Sequence, residues 1–117
     1  MENQLHIDAY KFGVMTIDGT EYRKDLIIVN GDIIPNWWRK EGHLLQLSDM
    51  ADKLQTKPVL FIIGTGKFGM MKVDPTLVNW LNRNRVQYRA EKTDNAVRKY
   101  NNATDKTNTM AAFHLTC

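Results

Sequence analysis

Apolar positions along this chain change their spacing part-way, and the change divides the sequence in two. In the first part they form short runs closed by turn dipeptides. Val14, Met15 and Ile17 lead into Asp18-Gly19, and the run DLIIVN (25–30) closes on Asn30-Gly31. Asp-Gly and Asn-Gly accept the positive φ angles of tight two-residue turns, so each predicts a β-hairpin. The partner of the second run is DIIPNWW (32–38). Pro35 has no N–H to give a ladder, which makes this segment an edge strand or takes it out of the sheet at that point.

Further on, helical spacing alternates with continuous apolar runs. Ser48 is placed to cap a helix whose apolar positions are Met50, Ala51 and Leu54, with Leu47 as a staple. After Pro58 comes VLFIIG (59–64), a β-branched and aromatic run of the kind that makes a strand buried on both faces. Asp74-Pro75 predicts a helix start, with Leu77, Val78 and Leu81 as the stripe beneath. VQY (86–88) predicts a strand, Thr93 caps a last helix with Ala96, Val97 and Tyr100 inward, and MAAFHLT (110–116) predicts a closing strand. From residue 58 onward, strand and helix alternate, which argues an α/β fold around a partly parallel, mixed central sheet. The front hairpins add an antiparallel layer or extend that sheet. Without repeat, low-complexity stretch or linker, residues 1–117 are expected to form a single domain.

Composition narrows the class without naming a chemistry. With 43% hydrophobic and 25% charged residues, the chain is composed like an ordinary globular domain. Its one cysteine, Cys117, cannot form an internal disulfide and suits a reducing compartment. The opening MENQLHIDAY reads as neither secretory signal nor transit peptide, and VLFII (59–63) is too short to span a bilayer. A cytoplasmic protein with no stable membrane insertion is expected. Charge is uneven, because residues 79–117 carry seven Lys and Arg against three Asp and Glu. Arg83, Arg85, Arg89, Lys92, Arg98 and Lys99 supply most of that excess. They lack the dense stripe with interleaved aromatics of a nucleic-acid binder, so solvated helix faces are expected.

GTGKFG (64–69) matches the G-x-G-x-x-G of dinucleotide-binding folds. In those folds the glycines open straight into a helix whose N-terminal amides hold the pyrophosphate. Here the helix start lies later, at Asp74-Pro75, and its acidic cap would repel a phosphate. No Walker Gly-Lys-Ser/Thr follows either. Gly64, Gly66 and Gly69 are therefore expected to serve a positive φ or a close backbone approach, and no cofactor is expected. His114 and Cys117, three apart on a strand, would face opposite sides, and neither CxxC nor HxH suggests a metal. Without a Ser-centred elbow or paired carboxylates, no catalytic residues are assigned.

PNWWRKEGH (35–43) differs in kind. On a strand, Trp37 and Trp38 point to opposite faces, so one is outward unless a second layer covers it. Exposed Trp beside Arg has the composition of a protein-interface hot spot, and an edge strand accepts a partner strand, including one from a second copy. Arg39, Lys40, Glu41 and His43 would form the rim, a local ion-pair network, or a cleft shared with the glycine loop.

FG (12–13), IPNWWRKEGH (34–43), GTGKFG (64–69), TDNAVRKYN (93–101) and HLTC (114–117) together resemble a small family of uncharacterised bacterial and archaeal proteins. That family is related to mitochondrial complex I (NADH dehydrogenase) assembly factor 3 and to the adipogenesis-associated protein. The resemblance implies a three-layer α/β fold, no catalysis and action through protein partners. One departure is Lys92, where family members often carry proline. Two functions of different class follow. One is a non-catalytic interaction module docking through Trp37 and Trp38. The other is a binder of a small anion, held by the amides of Gly64, Thr65, Gly66 and Gly69 with Arg39 or Lys40.

Overall fold

The computed structural model describes residues 5–117, so the first four residues of the opening segment lie outside the description. The chain begins with β1 (Ile7–Lys11), β2 (Val14–Ile17) and β3 (Thr20–Tyr22), an antiparallel sheet in that order. Next comes the hairpin of β4 (Leu26–Val29) and β5 (Asp32–Ile34). Asp18 and Gly19 have φ of 47° and 83°, and Asn30 and Gly31 have 52° and 81°. Two positive angles in succession give the turn whose twist matches its flanking strands, so both dipeptides act as expected. The strand stops at Ile34, and Pro35 leads the chain out of the sheet.

The remaining elements are β6 (Leu44–Leu45), α1 (Leu47–Leu54), β7 (Leu60–Gly64), β8 (Lys72–Val73), α2 (Pro75–Arg83), β9 (Gln87–Glu91), α3 (Thr93–Asn101) and β10 (Thr109–Phe113). The central sheet has the order β5-β4-β10-β7-β9. Its β10 and β9 run parallel to β7, while β4 is antiparallel to both β10 and β5. The mixed sheet is thus the one expected, and the front hairpins divide between a separate layer and an extension of it.

Period-two alternation within the sheet explains the unbroken apolar runs. Ile27, Phe61, Ile63, Met110 and Ala112 pack on one face with Met50 and Leu54 of α1 and Leu77 and Leu81 of α2. Leu26, Ile28, Ile62, Ala111 and Phe113 pack on the other with Ala96 and Tyr100 of α3 and Ile7, Met15 and Ile17 of the small sheet. Three layers result. The crossovers β7–α2–β9 and β9–α3–β10 step across the sheet in opposite directions. Right-handed connections then require α2 and α3 on opposite faces, where they are found.

Several boundaries differ from expectation. Gln46, not Ser48, occupies the cap position of α1, because the Asp49 carboxylate reaches back to the Gln46 N–H at 2.9 Å and outcompetes a hydroxyl. Ala51 is exposed, leaving Met50 and Leu54 as the buried stripe. Asp74 caps α2 as expected, accepting from the Thr76 N–H. Thr93 is the first residue of α3 rather than its cap, since its hydroxyl is turned inward. Trp37 and Trp38 lie beyond β5 on a loop, so strand alternation does not set their faces. His114 and Cys117 follow β10 instead of lying on it, and the alternation argument lapses for them too.

Candidate functional site

The loop after β5 is fastened to the protein by one carboxylate that sequence reasoning passed over. Asp25 stands immediately before β4, and its main-chain carbonyl accepts the Trp37 N–H at 2.8 Å. Its side chain accepts from Arg39 Nη1 at 2.8 Å and from the Leu115 N–H at 2.8 Å. The His114 Nδ1 also lies 2.8 Å from Asp25 Oδ2. Arg39 Nη2 donates to the Gly42 carbonyl at 2.7 Å and stands 3.2 Å from the same His114 nitrogen. One ring nitrogen cannot give a proton to Asp25 and accept one from Arg39. The shorter contact, to an oxygen that can only accept, assigns the proton to Nδ1.

The electrostatics follow from these contacts. Burial alone would raise the Asp25 carboxyl, but hydrogen bonds from His114, Leu115 and Arg39 outweigh it and hold it below the ordinary carboxylate value. Arg39 is buried, with its guanidinium 4.6 Å from the centre of the Trp37 ring. It is therefore an internal strut and not part of a polar rim. His114 Nε2 and Arg39 Nε are buried without a hydrogen-bond partner among the described residues. His43 packs edge-on to His114, with ring centres 5.8 Å apart.

His114 also joins this cluster to the glycine loop. A Cβ on Gly66 would lie 2.9 Å from His114 Cδ2 and 2.5 Å from the Cys117 carbonyl oxygen, and Gly66 has φ +107°. At Gly64 a Cβ would lie 2.9 Å from both Phe113 and the Thr93 hydroxyl. Both glycines are thus required by close approach, and Gly69, at φ +71°, by backbone conformation. The Thr93 hydroxyl accepts the Gly66 N–H at 2.9 Å and donates to the His114 carbonyl at 2.7 Å.

This geometry bears directly on anion binding. The Thr65, Lys67 and Met70 amides donate to the carbonyls of Glu91, Thr116 and Cys117 at 2.8, 2.7 and 3.0 Å. Gly69 donates to Gly66, and Met71 to Thr65. Amides engaged in this way cannot cradle an anion, so the loop does not offer the pocket that its glycines suggested. Segment 114–117 supplies two of the accepting carbonyls. Arg39, spent on Asp25 and Gly42, is no second anion contact, while Lys40 is exposed.

Facing solvent, Trp38 is 77% exposed, and Glu41, Gly42 and His43 are exposed beside it in sequence. Phe68, on the glycine loop, lies 6.3 Å from Phe12 on the first hairpin, and both rings are exposed, as is Met70. Sequence reasoning missed this pair. Its signal was a large apolar residue inside each of two glycine turns, Phe12-Gly13 and Phe68-Gly69.

With the geometry established, comparison supplies the family. A family model described as "Protein of unknown function (DUF498/DUF598)" matches residues 7–115. The chain belongs to the DUF498/DUF598 family. Solved structures share its fold over nearly the full length. The conserved hypothetical protein PH1505 from Pyrococcus horikoshii OT3 is 23% identical with a TM-score of 0.80, covering 95% of this chain and 98% of that one. The protein MT938 is 25% identical with a TM-score of 0.76, covering 97% and 100%. A Bordetella pertussis protein, described as a Mth938-like domain, is 17% identical with a TM-score of 0.65, covering 94% and 85%. Among the described residues, no helix of this DUF498/DUF598 member is long and apolar enough to cross a membrane.

Proposed function

We propose that this DUF498/DUF598 chain is a non-catalytic protein-interaction module that docks through the Trp38 face of the loop 35–43. One contrast carries the reading. Trp38 is 77% exposed, while Trp37 and Arg39 on either side are packed and bonded to Asp25. A large aromatic ring presented by an anchored segment loses little freedom on association, which is what a hot-spot residue needs. The Asp25–Arg39–His114 cluster supports the non-catalytic half of the proposal, because its bonds tie the loop to segment 114–117. The family resemblance adds a direction for the partner, a subunit of a respiratory complex under assembly.

The test compares tagged parent and Trp38→Ala in affinity purification from the native host, with quantitative mass spectrometry. Truncating a hot-spot ring costs about 2 kcal/mol or more, roughly a thirtyfold loss of affinity. A protein recovered with the parent and depleted with the variant, at an unchanged unfolding midpoint, supports docking at Trp38. Equal recovery of every partner by both proteins refutes it.

A further inference from the structure

The fold gathers part of the basic excess of residues 79–117 along one groove. β9 is an edge strand. Tyr88 packs toward the α1–α2 core, so its neighbours Gln87 and Arg89 lie on the sheet face that carries α3. Between β9 and α3 runs a groove of about 640 Å³, within the usual range for small-molecule sites. Val59, Leu60 and Ala103 give it an apolar part, and Arg89 and Arg98 stand along it.

The ion pairing there is uneven. Lys99 meets Glu91 at 3.5 Å, and the Asp105 carboxylate is held by Asn108. Neither Arg89 nor Arg98 makes a salt bridge with a carboxylate among the described residues. Arg89 donates to the Tyr88 carbonyl at 2.9 Å, and Arg98 to the Asn95 side chain. Two guanidinium groups without counter-ions beside an apolar recess are complementary to an anion with an apolar body. Arginine's planar fork suits oxyanions in particular. The lining contains no aromatic side chain on which a base could stack, which argues against single-stranded nucleic acid.

We infer that this groove binds a small organic oxyanion, a carboxylate or a phosphate monoester, with Arg89 and Arg98 on the anionic group and Val59, Leu60 and Ala103 against the apolar body. The experiment is an amide NMR titration of the whole chain with octanoate and with octyl phosphate, using octanol and octyltrimethylammonium as controls. Saturable shifts centred on Leu60, Arg98 and Ala103 are expected with an anionic probe and absent with the ammonium. The preferred anion tells carboxylate from phosphate. Arg89→Ala and Arg98→Ala should each weaken binding about tenfold, the loss of one charge-assisted hydrogen bond. Lys92→Ala removes the same charge outside the groove and should leave affinity unchanged. Both arginines are exposed, so the variants should keep the parent's spectral dispersion. Absence of saturable shifts with both anions, equal response to octanol, or full affinity in the arginine variants would overturn the inference.

Discussion

Gly66→Ala separates conformational from steric demand at the glycine loop, because Gly13 supplies an internal control. Both residues have positive φ, +107° and +79°, so both substitutions carry backbone strain of about 1–2 kcal/mol. At Gly13 nothing lies within 4 Å of the added Cβ, and strain is the whole cost. At Gly66 the Cβ would meet the Cys117 carbonyl at 2.5 Å and His114 Cδ2 at 2.9 Å. Segment 114–117 must then move, adding about 1–3 kcal/mol of overpacking. It also loosens the bonds from Lys67 to Thr116 and from Met70 to Cys117, worth about 1 kcal/mol each. Gly66→Ala should therefore cost about 4–7 kcal/mol against about 1–2 for Gly13→Ala. Urea unfolding followed by circular dichroism measures both, with the slope checked for constancy. Equal midpoints for the two variants would refute the steric argument and return Gly66 to an ordinary turn glycine.

Other outcomes follow from the same geometry. Trp37→Ala, unlike Trp38→Ala, should lower stability by about 2–3 kcal/mol in the same unfolding assay, because it removes core contact and the face under Arg39. Asp25→Asn should destabilise by about 3 kcal/mol at neutral pH, since Arg39 is left buried without its counter-ion. The folded-state pKa of Asp25 is lowered, so its contribution is full above the unfolded value and lost as pH falls through the folded one. The parent should thus lose stability below about pH 4, and Asp25→Asn should show a flatter acid limb in pH-dependent melting. Tyr100→Phe should be neutral or stabilising by about 1 kcal/mol, because its hydroxyl is buried without a partner among the described residues. Burial, aided by Asp18, pushes that phenol up to about 12, so it also costs stability as pH rises above 10, and the variant should resist alkaline melting better than the parent.

What could be read from the residues was local. Asp18-Gly19, Asn30-Gly31 and Asp74-Pro75 each specify a backbone conformation within a few positions, and all three appear where expected. The buried character of 61–64 was legible because both faces of β7 are covered, while Val59, before the strand, is exposed. Pairings over long separations were not. Asp25 looked like a polar residue at a strand's edge, although it bonds His114 across 89 positions. The one available hint was a lone carboxylate abutting the wholly apolar LIIV. Thr93 read as a cap because Thr before a helical stripe usually caps, yet it serves Gly66 and His114, which only the folded sheet brings near. Arg39 read equally as rim, local ion pair or cleft wall for the same reason. Its counter-ion lies in another element.

The placement of β10 between β4 and β7 has a consequence for how the protein comes to be folded. A ribosome delivers β4 and β7 long before β10, yet neither touches the other in the finished sheet. Until residues 109–113 arrive, two half-sheets each expose an apolar strand edge, the kind of template on which strands of other chains pair. Productive folding must therefore wait for one of the last strands made, and its contacts with β4 close loops of more than eighty residues. A nascent chain stalled before residue 109 is an aggregation hazard in its own right, and chaperone demand should peak in that window of synthesis.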